Sequence, residues 1–246
     1  MHLLAEHLQK TYDAFELSIP ELSVETGTAL GLVGNNGAGK TTFLRLVLDL
    51  IEADEGRVLL DGNDVSETTD WKNTTGSYLG ESFLIDFLTA DEFFAFVGDV
   101  YGIDEDERSR RLEAYGSFFT DEPIGETSKY IRDLSQGNRN KVGLISALFV
   151  EPRLLVLDEP FASLDPRSQI QLKRRLQKMR EDHDVTMLIS SHDLGHVTDV
   201  CGRIAVIEDG AVVRDVETTD ATLAELETYF AEELRPQETE PAGVEE

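Results

Sequence analysis

The chain has one cysteine, Cys201, among 246 residues. A lone thiol excludes an intrachain disulfide and points to a reducing compartment. The opening residues, Met1-His2-Leu3-Leu4-Ala5-Glu6, lack the basic stretch and apolar core of a signal peptide. No apolar run approaches the roughly 18 residues that span a bilayer, so work at a membrane would go through a partner. Positive charge is scarce: 22 Lys and Arg face 49 Asp and Glu, a net charge of −27. Nucleic acid is therefore not an expected partner, because such a surface needs clustered cations to displace counterions from phosphates. Only seven of the cations are lysine. That surface fits a protein kept soluble in concentrated salt, or simply an acidic protein in ordinary salt.

What is present suffices for a core: hydrophobic residues make up 40% of the chain, enough for one large domain. Residues 2–33 read as β-structure, with Phe15, Leu17 and Ile19 alternating with polar neighbours. Ala29-Leu30-Gly31-Leu32-Val33 runs straight into a glycine-rich loop, and helical character follows from Thr41 to about Leu50. Val58-Leu59-Leu60 then reads as a strand. From Leu88 to Val150 the pattern turns helical, with Phe93, Phe94, Phe96, Val97 and Val100, then Leu112, Tyr115, Phe118 and Phe119. Strand signals return at Leu154–Leu157, Val185–Ile189, Ile204–Ile207 and Val212-Val213, with a charged helix over about 166–181. Buried strands alternating with helices imply an α/β fold with a mostly parallel, covered sheet. The expected organisation is one domain over 1–235, a helical insertion at about 82–150, and an acidic tail at 236–246.

Gly34-Asn35-Asn36-Gly37-Ala38-Gly39-Lys40-Thr41 matches the phosphate-loop pattern G-x-x-x-x-G-K-[ST], between a strand and a helix as the chemistry requires. Glycines let backbone N–H groups turn onto a phosphate, and the following helix points its positive end at the same anion. Lys40 supplies a mobile charge, the Thr41 hydroxyl can ligate Mg²⁺, and Thr42 follows in the same turn. Leu154-Leu155-Val156-Leu157-Asp158-Glu159-Pro160 is an apolar strand ending in two carboxylates. Asp158 is the candidate for holding Mg²⁺. Strand alternation sends Glu159 to the other side, as candidate general base toward an attacking water. Together the two motifs point to nucleotide hydrolysis.

With these motifs the chain resembles, over roughly residues 2–230, the nucleotide-binding subunit of an ABC (ATP-binding cassette) transporter. Leu134-Ser135-Gln136-Gly137-Asn138 stands where that family carries Leu-Ser-Gly-Gly-Gln, Ser163-Leu164-Asp165 resembles its D-loop, and His192 its switch histidine. Tyr12 matches the aromatic that stacks on adenine. The resemblance implies a P-loop NTPase core with an N-terminal antiparallel β-subdomain and an inserted helical subdomain. It implies ATP and Mg²⁺ as ligands, and two subunits packed head to tail, each placing Ser135 and Gly137 on the other's γ-phosphate. Ser135 also suits the N-cap of the helix that follows. A multi-span permease would be the further partner, placing the protein at the cytoplasmic face of the membrane. Asp86-Phe87-Leu88-Thr89 and the phenylalanine-rich helix look exporter-type. Gln136 and Asn138 depart from the signature, and Glu81 stands where the family has its Q-loop glutamine, so Glu81 is the candidate there for Mg²⁺ or its water. A soluble ATPase of cytosolic cofactor assembly, or a nucleotide-gated scaffold, is the alternative function.

Three other patterns have bland readings. His192 and His196 form only half a zinc site. Ser191-His192-Asp193 are neighbours in sequence and lack a triad's relay geometry. Lys173, Arg174, Arg175, Lys178 and Arg180 read as a solvated helix face with i,i+4 pairs.

A net charge of −27 has a consequence for stability: screening it should favour the compact state. Raising KCl from about 0.1 M to about 1 M shortens the screening length from about 10 Å to about 3 Å. The thermal midpoint is expected to rise over that range, and calorimetry showing a fall would exclude charge repulsion as a main destabilising force.

Overall fold

The computed structural model describes residues 1–118, 128–182 and 185–233. The expected tail at 236–246 and Phe119 lie outside them. Two sheets organise the chain. Strands β1 (Leu3–Tyr12), β2 (Phe15–Val24), β4 (Glu55–Leu60) and β5 (Asn63–Asp64) form an antiparallel sheet in the order β2-β1-β4-β5. The second sheet holds β3 (Ala29–Val33), β6 (Thr75–Tyr78), β7 (Leu154–Asp158), β8 (Thr186–Ser191), β9 (Arg203–Glu208) and β10 (Ala211–Glu217). Its order is β10-β9-β3-β8-β7-β6, and every pair is parallel except the β9–β10 hairpin.

Period-two alternation divides the parallel strands between two cores. Leu30 and Leu32 of β3, Leu154 and Val156 of β7, Leu188 of β8 and Ala205 and Ile207 of β9 face one side. There they meet Phe43, Leu44 and Val47 of helix α1 (Lys40–Val47) and the apolar face of the antiparallel sheet. Ala29, Val33, Leu155, Leu157, Met187, Ile189, Ile204 and Val206 face the other. That face is covered by α4 (Gln136–Leu148), α5 (Pro166–Asp182), α6 (Leu194–Val200) and α7 (Thr222–Glu233). Cys201 is buried in this second core, where desolvation pushes its thiol up to about 12. It is a packing residue.

The helical middle is α2 (Ala90–Val100), α3 (Glu105–Glu113) and α4, inserted between β6 and β7. Thr89 and Glu92 close a capping box at the start of α2, and Asp104 accepts the Glu107 N–H at the start of α3. Phe93 and Phe94 are buried as the spacing predicts, but Phe96 and Val100 face outward. Two helices, α6 and α7, and the strand β6 were not legible in the pattern. Thr75-Gly76-Ser77-Tyr78 has no apolar alternation, and β6 forms because it pairs in parallel with β7. Three of the α5 cations reach neighbouring elements: Lys173 pairs with Asp199 at 2.7 Å, Arg180 donates to the Val200 carbonyl, and Arg175 lies over the Tyr115 ring.

One close approach locks α4 onto the sheet. A Cβ at Gly143 would lie 2.0 Å from Cε2 of the buried Tyr78 ring. Gly143→Ala is therefore expected to cost about 1–3 kcal/mol through overpacking, read as a lowered denaturant midpoint. An unchanged midpoint would show that β6 and α4 can separate at no cost.

Candidate functional site

The phosphate loop is held from three sides. The Gly210 N–H of the β9–β10 turn donates to the Ala38 carbonyl at 3.0 Å, and the Ser18 N–H of β2 donates to the Gly210 carbonyl at 2.8 Å. Gly39 caps α1 with a φ of 113°, and a Cβ there would lie 2.9 Å from both Leu17 and Phe15. Only glycine combines that left-handed turn with that approach. Asn35, Asn36 and Gly37 form the exposed crest, while Gly34, Ala38, Gly39 and Lys40 are buried and Thr41 and Thr42 are half-buried in the first turn of α1. The Lys40 ammonium donates to the Gly34 and Asn35 carbonyls at 2.6 and 3.1 Å, spanning the loop's mouth. Burial lowers its pKa, against the opposing pull of Glu159 and Asp158.

Parallel pairing delivers the other groups to the same edge. β3 and β7 both flank β8, and Asp158 is in register with Ser190. The Thr41 hydroxyl donates to Asp158 Oδ2 at 2.6 Å. The Ser190 hydroxyl donates to Asp158 Oδ1 and accepts the Glu159 N–H at 2.9 Å. Glu159 Oε2 lies 2.9 Å from Nδ1 of the exposed His192, and Oε1 lies 3.8 Å from Lys40 Nζ. Glu159 is aimed by a turn and not by the strand alternation expected for it. β7 stops at Asp158, and Glu159 turns into the left-handed region at φ 48°, so strand alternation does not aim it. That conformation costs a non-glycine residue of order 1–3 kcal/mol and persists only where its surroundings hold it.

Oxygen donors from Thr41 and Asp158, a hydroxyl and a carboxylate 2.6 Å apart, are the chemistry a hard divalent cation such as Mg²⁺ takes. Glu81 is not brought to them. Its carboxylate pairs with Arg139 Nε at 2.7 Å, because that guanidinium supplies the countercharge the half-buried carboxylate needs. Ser135 caps α4 as its residue type implies, its hydroxyl accepting the Asn138 N–H at 3.3 Å. Gly137 faces the Ser163 carbonyl, 3.1 Å from where a Cβ would be. Tyr12 is exposed opposite Phe15 at the hairpin end beside Gly39. His196 is apart from His192, its ring packed 4.6 Å from that of Phe161, and burial lowers its pKa. Among the described residues no group of three or more His, Cys, Asp and Glu is placed to hold a metal.

Sequence reasoning missed four residues. Ser190 lies just past the apolar run Val185–Ile189, near the end of β8, where a hydroxyl beside the Asp158 strand end was the available signal. Lys141 is buried and lies 3.2 Å from Asp165, while Asn140 donates to the Ala162 carbonyl at 2.6 Å. Together with both bonds from Ser168, which weigh most, Lys141 holds the Asp165 carboxyl well below the usual carboxylate range. Arg139, paired with Glu81, is the fourth.

Removing the Ser190 hydroxyl leaves Asp158 Oδ1 and the Glu159 N–H without their shared partner. Ser190→Ala is expected to destabilise the fold by about 1–3 kcal/mol in urea unfolding, and Ser190→Thr to restore most of it. Equal midpoints for the alanine variant and the parent would show that the bridge contributes nothing.

The family model described as "ABC transporter" matches residues 17–162. A probable sulfate/thiosulfate import ATP-binding protein of Chlorella vulgaris is 31% identical over 87% of this chain and 90% of its own length. The ABC transporter ATP-binding protein NatA of Bacillus subtilis is 32% identical over 78% of each chain. The glycine betaine/proline betaine transport system ATP-binding protein ProV of Escherichia coli is 32% identical over 88% of this chain, which spans only 55% of ProV. Among solved structures, the ATP-binding subunit of an ABC transporter superposes with a TM-score of 0.81 at 24% identity, over 94% of this chain and 99% of that one. No described helix is long and apolar enough to cross a membrane. With a phosphate loop and a strand-end carboxylate pair at one sheet edge, and with these matches, the chain belongs to the ABC transporter family and is an ATPase of the P-loop NTPase fold.

Proposed function

We propose that the chain binds and hydrolyses ATP as one of two cassettes that close head to tail, and that it drives a separate membrane permease from the cytoplasmic face. The observation that carries the reading is the continuous set of contacts Thr41–Asp158–Ser190–Glu159–His192 at the mouth of the phosphate loop. The loop's N–H groups and the start of α1 bind the triphosphate, and Lys40 lends its charge to the terminal phosphates. Thr41 and Asp158 hold Mg²⁺, which when bound neutralises phosphate charge. Glu159 takes the proton from the attacking water as general base, and His192, beside its Oε2, fixes the direction of that carboxylate. Tyr12 offers its exposed ring to adenine. Ser135 and Gly137 cap the phosphate held by the second subunit, since the start of α4 presents N–H groups and a hydroxyl to an anion.

Support for a second cassette comes from two solved structures of the same fold that are dimeric ABC cassettes, one of them bound to ADP and Pi. Support for a permease comes from a groove of 240 Å³ whose apolar residues Leu48, Leu50, Trp71, Leu79, Phe83 and Tyr101 stand beside Asp49, Lys72, Thr75 and Ser77. Leu50 and Phe83 are exposed. A largely apolar groove on an acidic surface suits a helix offered by a membrane protein. The direction of transport is a separate matter. Several relatives are named as importers, of sulfate/thiosulfate and of methionine, against the exporter-type expectation raised by Asp86–Thr89.

Glu159→Gln is expected to keep ATP binding, lose about 10²–10⁴-fold in phosphate release, and accumulate an ATP-dependent dimer on size exclusion. Equal phosphate release in variant and parent would remove Glu159 as the base. Co-purification of a multi-span membrane protein from native membranes supports the permease, and its absence favours the soluble ATPase.

A further inference from the structure

Arg139 joins two parts of the molecule. It sits in the first turn of α4, where a cation opposes the helix dipole and needs an outside reason to be there. Its guanidinium has two such reasons. Nη1 donates to the Leu134 carbonyl at 2.8 Å, the residue just before Ser135, and Nε donates to Glu81 Oε2 at 2.7 Å. Glu81 lies just beyond β6, the strand paired with β7, which ends in Asp158. One planar fork thus fastens the chain entering the α4 tip to the exit of the sheet that carries the metal-binding carboxylate. The next two residues fasten the opposite side: Asn140 to the Ala162 carbonyl and Lys141 to Asp165, both in the loop after Glu159. Of these ties, only that of Arg139 grips the backbone at the tip itself.

We propose that Arg139 is a positioning residue for the ATPase reaction, its bridge between Glu81 and the Leu134 carbonyl holding Ser135 and Gly137 at the spacing from their own sheet that a phosphate on the second subunit requires. This rests on the reading that Ser135 caps the other subunit's ATP. Paired with Arg139, Glu81 is half of a neutral strut.

The test uses the full chain carrying Glu159→Gln, with the ATP concentration for half-maximal dimerisation as readout. In that background Arg139→Ala and Glu81→Ala are each expected to raise it about fivefold, a size typical of a partly exposed, hydrogen-bonded pair. The double variant is expected to match the singles, since either change removes the same strut. Arg139→Lys, which keeps the charge but not the fork, should fall between. Thermal midpoints within about 2 °C of the parent keep the effect from being loss of fold. In chains that retain Glu159, the same variants should raise KM for ATP with kcat less affected. Unchanged dimerisation in both singles, or single effects that multiply in the double, overturns the strut while leaving the capping role of Ser135 intact. A parent that forms no ATP-dependent dimer overturns the capping role and the proposal with it.

Discussion

The register of β7 against β8 governs the rest of the site. Because Asp158 stands opposite Ser190, one hydroxyl can bond the Asp158 carboxylate and receive the Glu159 N–H together. The first contact keeps Asp158 beside Thr41, and the second holds Glu159 in the left-handed turn that brings it to His192 and Lys40. A one-residue slip of either strand would send each side chain to the opposite face and dismantle both arrangements. Parallel strands buried on both faces resist such a slip, since Leu155, Leu157, Leu154 and Val156 are committed to different cores.

A chain of net charge −27 that binds a triphosphate must manage its own carboxylates first. It does so by local pairing. Asp165 is held by Ser168 and Lys141, Glu81 by Arg139, and Asp215 by the two-pronged Arg203. The remaining attraction for phosphate comes from oriented N–H groups and one buried lysine, which act over short distances and are little affected by the distant surface. Short-range dipoles at the loop act on a phosphate more strongly than carboxylates beyond the screening length.

The start of α4 shows the same economy with backbone groups. Ser135 satisfies one N–H of the helix start, Arg139 satisfies the carbonyl before it, and Asn140 and Lys141 reach the loop that follows Glu159. Three neighbouring residues, Arg139, Asn140 and Lys141, thus connect the start of α4 to Glu81 and to the loop after Glu159.

The glycine loop, the strand ending in Asp158-Glu159 and the α/β alternation were legible in the residues alone, because each rests on local spacing: four residues between glycines, period two in a buried strand, a hydroxyl before a helix. The helices α6 and α7 and the strand β6 were not, since short or weakly patterned segments take their structure from what they pack or pair with. What aims Glu159 was not legible for a related reason, as the turn that follows a strand depends on its neighbours and not on its own composition. Only the tertiary structure decided that Glu81 belongs with Arg139, 58 residues away, and that Ser190 unites Asp158 with Glu159. Such pairings are matters of distance in space, and a linear sequence records the groups that can pair but not which of them meet.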